Sequence, residues 1–124
     1  MINFVGAGSG AEDLITVRGQ CLLREADVIV YAGSLINPKL LDEKKEGCRV
    51  YNSAYMTLEE VIEVMIDNEA RGKKVVRLHT GDPSLYGAIK EQMDALKERG
   101  IAYEICPGVS SFCGAAAALQ AEYT

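Results

Sequence analysis

Three glycine-bearing segments concentrate the residues that could do chemistry. The first is Leu78-His79-Thr80-Gly81-Asp82-Pro83, which follows the β-like run Lys74-Val75-Val76-Arg77-Leu78. Gly81 permits close backbone approach or positive φ. Asp82 either caps the next helix, with Pro83 in its first turn, or accepts hydrogen bonds from a ligand and attracts a cationic one. His79 is either satisfied within the fold or a site group. The second segment, Gly6-Ala7-Gly8-Ser9-Gly10-Ala11, follows the run Ile2-Asn3-Phe4-Val5 and fits G-x-G-x-x-A. It reads as a structural turn or as a dinucleotide loop. A dinucleotide loop also wants an acid at the end of the second strand. That position holds Tyr31-Ala32-Gly33-Ser34, and Asp27 lies at the wrong end. The third segment is Pro107-Gly108-Val109-Ser110-Ser111, where a serine hydroxyl can cap a helix.

The sequence has no serine-hydrolase elbow, metal constellation or Walker lysine. Its pattern favours chemistry that works by positioning.

Short β-like runs alternate with helical patterns and so place these segments. Ile2–Val5, Val28–Tyr31, Arg49–Tyr51, Lys74–Leu78 and Ala102–Cys106 read as five strands. A helix is predicted over Leu58–Ala70, with capping-box spacing at Thr57 and Glu60 and a left-handed stop at Gly72. Others are predicted over Ala11–Arg24, from Pro38, over Ser84–Arg99 with a stripe of Leu85, Ile89, Met93 and Leu96, and over Ser110–Ala121. The run Ala115–Ala118 is expected to pack closely on the sheet. The expected fold is α/β: a five-stranded, mainly parallel sheet with helices on both faces and right-handed crossovers. Ligands in such folds bind outside the carboxyl ends of the strands.

The 124 residues are 48% hydrophobic and 25% charged, as expected for one ordinary domain. A net charge of −5 argues against nucleic acid as a partner. No apolar run is long enough for a membrane helix, no signal peptide is read, and a cytoplasmic location is expected. Cys21, Cys48, Cys106 and Cys113 lack C-x-x-C spacing and are expected to be buried reduced thiols, with no metal. The Ala-rich helix runs to the end of the sequence without a glycine stop, which predicts one domain of a longer protein.

Taken together, Val5-Gly6-Ala7-Gly8-Ser9-Gly10, Thr80-Gly81-Asp82-Pro83 and Pro107-Gly108-Val109-Ser110-Ser111 resemble the motifs of the tetrapyrrole methylases. The resemblance covers the chain as the N-terminal half of that family's two-domain fold. Tyr31–Pro38, Met56–Glu60, Arg77–Ile89 and Pro107–Ala118 are similar to a subgroup acting at ring carbon C11 of a precorrin, with or without cobalt, on the route to cobalamin. Thr80 stands where many relatives have a second glycine. Ser9 replaces a common proline, and Ala11-Glu12 a frequent Asp-Pro.

The resemblance implies S-adenosyl-L-methionine as cofactor, held in a cleft between two domains. The matching positions are Ser9, Thr80, Gly81, Asp82, Leu85, Ser110 and Ser111. It implies a tetrapyrrole substrate facing Gly8 and Gly10, with Arg18 and Lys39 as candidate cations for its carboxylates. No side chain is singled out as catalytic. A homodimer is implied, and a fragment with half the cleft is expected to be inactive alone. The competing readings are a dinucleotide-binding module of an oxidoreductase and a non-catalytic α/β interaction domain.

Overall fold

The computed structural model describes residues 1–124. Five strands form one sheet: β1 (Ile2–Gly6), β2 (Val28–Tyr31), β3 (Arg49–Asn52), β4 (Val75–His79) and β5 (Tyr103–Cys106). Their order is β3-β2-β4-β1-β5, and every neighbouring pair is parallel. Alternation along the strands divides the core in two. Val5, Ile29, Val76 and Leu78 face one layer with Leu23 and Leu40. Ile2, Phe4, Val28, Val30 and Val75 face the other with Val61, Met65 and Leu96.

The first layer is closed by α1 (Val17–Glu25) and a 3₁₀ turn at Pro38–Leu41. The second is closed by α2 (Leu58–Ala70) and α3 (Lys90–Glu98). The chain moves one way along the sheet through α1 and the opposite way through α2 and α3, as a single crossover hand requires. α2 matches its predicted bounds. Glu60 N–H donates to Thr57 Oγ1 at 3.1 Å and Thr57 N–H to Glu60 Oε1 at 2.9 Å. Gly72 follows at φ +73°.

The other helices differ from expectation at their ends. The first splits into a 3₁₀ turn at Glu12–Leu14 and then α1, because Thr16 stays extended and its Oγ1 accepts from Gly19 N–H at 3.0 Å. α3 begins at Lys90 rather than Ser84, because Tyr86 and Ala88 lie at φ +59° and +52°. The last helix, α4 (Ser111–Leu119), begins after its cap Ser110 and ends at left-handed Gln120. It buries no residue. The alanine run therefore does not pack on the sheet as expected, and Phe112 and Leu119 are exposed. Only Cys106 is a buried thiol. Cys48 is half-buried, and Cys21 and Cys113 are exposed.

Candidate functional site

Adjacency of β4, β1 and β5 brings the three glycine segments together at their carboxyl ends. The first two are zipped by backbone. Ala7 N–H donates to His79 O at 2.6 Å, Gly81 N–H to Gly8 O at 2.8 Å, and Gly8 N–H to Gly81 O at 3.3 Å. The third closes on them through glycine. A Cβ on Gly108 would lie 2.2 Å from Gly81 O, and one on Gly6 would lie 2.5 Å from the same oxygen. Gly81 itself sits at φ +61°. The glycines of the G-x-G-x-x-A pattern thus have a packing role in this fold.

Two further contacts fix the first loop. Asn37 Nδ2 donates to Gly10 O at 2.9 Å. Gly114 of α4 lies against Ser9, whose Cβ would be 2.6 Å from an added Cβ there. α4 opens at the same place, with Ser110 Oγ accepting from Phe112 N–H at 3.2 Å.

These loops enclose an open cavity of about 400 Å³. Ser9, Thr80, Gly81, Asp82, Leu85, Ser110 and Ser111 all line it, and so do Gly8 and Gly10. Asp82 is half-buried and is the only charged residue of the lining. As a helix cap it is weak, since its Oδ1 meets Ser84 N–H only at 3.5 Å and α3 starts later. Arg18 and Lys39 are not brought to the cavity. Both are exposed, and Lys39 lines a separate hollow with Glu12, Asp13 and Glu43. Charge alone selected them, and their elements turn them elsewhere.

Leu35 and Tyr86 line the cavity and were not among the expected site residues. Leu35 lies in the Tyr31–Pro38 segment, whose similarity to the subgroup was the available signal. Tyr86 was hidden by the helical periodicity of its neighbours. It is 92% exposed and tilts over Phe112, with ring centroids 6.1 Å apart. Left-handed backbone at a residue with a side chain costs about 1–3 kcal/mol.

His79 does not line the cavity. It is buried, its ring is stacked on Phe4 at 6.4 Å, and its Nε2 has no hydrogen-bond partner. Burial, helped by the charge on Arg77, pushes its pKa down to about 3. It is a neutral, unsatisfied core histidine rather than the satisfied one or the site group expected. No group of three or more His, Cys, Asp or Glu could hold a metal.

The family model for "Tetrapyrrole (Corrin/Porphyrin) Methylases" matches residues 1–124. The chain belongs to the tetrapyrrole methylase family. Among curated members, it is 59% identical over 120 residues to the cobalt-precorrin-4 C(11)-methyltransferase of Methanocaldococcus jannaschii, covering 97% of this chain and 46% of that protein. The crystal structure of a cobalt precorrin-4 methyltransferase superposes with a TM-score of 0.95 at 51% identity, covering 99% of this chain and 52% of that one. The uroporphyrin-III C-methyltransferase of Thermus thermophilus, complexed with S-adenyl homocysteine, superposes at 0.76 with 31% identity, covering 93% and 47%. The chain spans about half the length of the tetrapyrrole methylases it matches. No helix is long and apolar enough to cross a membrane.

Proposed function

We propose that this chain is the N-terminal domain of an enzyme that methylates C11 of precorrin-4 or cobalt-precorrin-4 in cobalamin biosynthesis. It forms one wall of the S-adenosylmethionine site. The observation that carries this reading is the charge pattern of the cavity. Its lining combines glycine backbone, five hydroxyls and a single carboxylate, with no lysine or arginine. An uncompensated carboxylate suits a ligand that brings its own positive charge. A pyrophosphate would meet repulsion from Asp82, which disfavours the dinucleotide reading. A non-catalytic interaction domain gives no reason for a hydroxyl-lined hollow around that carboxylate.

S-adenosylmethionine, when bound, supplies an electrophilic sulfonium methyl for a nucleophilic ring carbon. This chain's residues bind and orient. Asp82 holds positive charge, the hydroxyls of Thr80, Ser110 and Ser111 offer donors and acceptors, and Leu35 and Leu85 offer apolar surface. This lining offers no cation for the carboxylates of a macrocycle. The reading also includes a cytoplasmic homodimer.

Calorimetry on the full-length enzyme tests it. S-adenosylhomocysteine should bind, and Asp82→Ala should weaken it roughly tenfold, as expected for a charged contact. Gly81→Val should abolish binding by removing the φ +61° turn. Unchanged affinity in both variants, or methyl transfer by residues 1–124 alone, would contradict the proposal.

A further inference from the structure

Arg77 lies in the middle of β4 with its side chain buried on the α2–α3 face, yet no carboxylate pairs with it. Its Nε donates to Gln92 Oε1 at 3.0 Å, and its Nη1 donates to Val30 O at 3.3 Å. A buried guanidinium so placed fixes the neighbouring amide. With Oε1 committed to Arg77, Gln92 presents Nε2 on its other side, where it donates to Ala88 O at 3.4 Å. Ala88 is one of the two left-handed residues between Pro83 and α3. Its carbonyl would take the backbone N–H of Gln92 if α3 ran one turn further toward its N-terminus.

The sequence pattern and the observed backbone therefore differ for this segment. Leu85, Ile89, Met93 and Leu96 carry the periodicity of a longer helix. The observed turn instead puts Leu85 and Tyr86 on the cavity. We propose that Arg77 and Gln92 are positioning residues, a buried latch that holds residues 84–89 in the left-handed turn and so keeps Leu85 and Tyr86 at the cofactor cavity. The proposal rests on the reading of that cavity as the S-adenosylmethionine site. Gln92 is buried and touches no part of the cavity, so its influence runs through Ala88.

Gln92→Glu in the full-length enzyme separates a latch from a plain packing role. The glutamate keeps an acceptor for Arg77 and adds a counter-charge, but it has no N–H for Ala88 O. The thermal midpoint should hold. S-adenosylhomocysteine affinity should fall roughly tenfold, the value of one such bond. Amide hydrogen exchange across residues 84–90 should change while exchange in the strands does not.

Ala88→Val breaks the same turn without touching the buried pair, because a β-branched side chain resists positive φ. It should reproduce both effects, and it guards against misfolding of the first variant. Wild-type affinity in both variants, or unaltered exchange over 84–90, would overturn the latch. Failure of the wild-type enzyme to bind S-adenosylhomocysteine would instead overturn the reading of the cavity. The exchange measurement needs no ligand and would still decide the latch.

Discussion

The two ends of β4 are built on opposite principles. At its amino end backbone and side-chain polar groups pair with one another. Lys74 N–H donates to Asp27 Oδ2 at 2.7 Å, Lys45 Nζ lies 2.7 Å from Asp27 Oδ1, and Asp27 N–H donates to Lys74 O at 2.8 Å. At its carboxyl end the backbone is pressed together at Gly6, Gly81 and Gly108, His79 Nε2 is unpartnered, and Asp82 has no cation. Two side-chain-bearing residues there hold positive φ. The amino end follows the rules of stability. The carboxyl end departs from them where three loops form the cavity, as expected when strain is kept for binding.

The largest break in this contrast should come from Gly108→Ala. Its Cβ would meet Gly81 O at 2.2 Å and Gly6 Cα at 2.8 Å, and backbone cannot move aside cheaply. The expected loss is about 3 kcal/mol or more, read by urea denaturation. Gly47→Ala is the control. It also has positive φ, but nothing lies within 4 Å, so about 1 kcal/mol is expected. Equal losses would show that the contact between loops is looser than the geometry states.

His79 gives the next effect, through pH. Its folded pKa is depressed from 6.5 to about 3, with burial the first cause. The unfolded chain therefore takes up a proton that the folded chain refuses. Stability is full above the unfolded value and falls as pH drops from about 6.5 toward about 3. The slope is about 1.4 kcal/mol per pH unit, so about 2 kcal/mol is lost by pH 5. His79→Phe keeps a ring against Phe4 and should flatten that part of the profile. A slope that survives the substitution would assign it to other groups.

The sheet and α2 were legible because period-two alternation and the Thr57–Glu60 capping box are local signals. The convergence of seven expected residues on one cavity was legible because motif order told which strand each followed, and β4-β1-β5 adjacency then joins them. Three things were not legible. The turn at residues 84–89 overrides helical periodicity: a Cβ on Gly87 would meet Pro83 O at 2.1 Å, and Gln92, held by the more distant Arg77, reaches Ala88. The placement of Arg18 and Lys39 outside this cavity was another, because charge carries no direction. The exposed apolar face of α4 could not be foreseen from an alanine run that also suits close packing.

The smallest effect should come from the amino end, and it tests whether the two ends are independent. Asp27→Ala removes the acceptor for Lys74 N–H and the partner of Lys45. The Lys45 ammonium and the Lys74 N–H together hold the Asp27 carboxyl below its usual range, so the contribution is present at neutral pH and lost as pH falls through the depressed value. Both partners reach water once freed, which limits the cost to about 1 kcal/mol. The loss should shrink in high salt, because an exposed ion pair is screened. S-adenosylhomocysteine affinity of the full-length enzyme should not change, because β4 separates Asp27 from the cavity by its whole length. A change in affinity would mean that β4 transmits strain between its ends, and the division between a stabilising end and a binding end would fall.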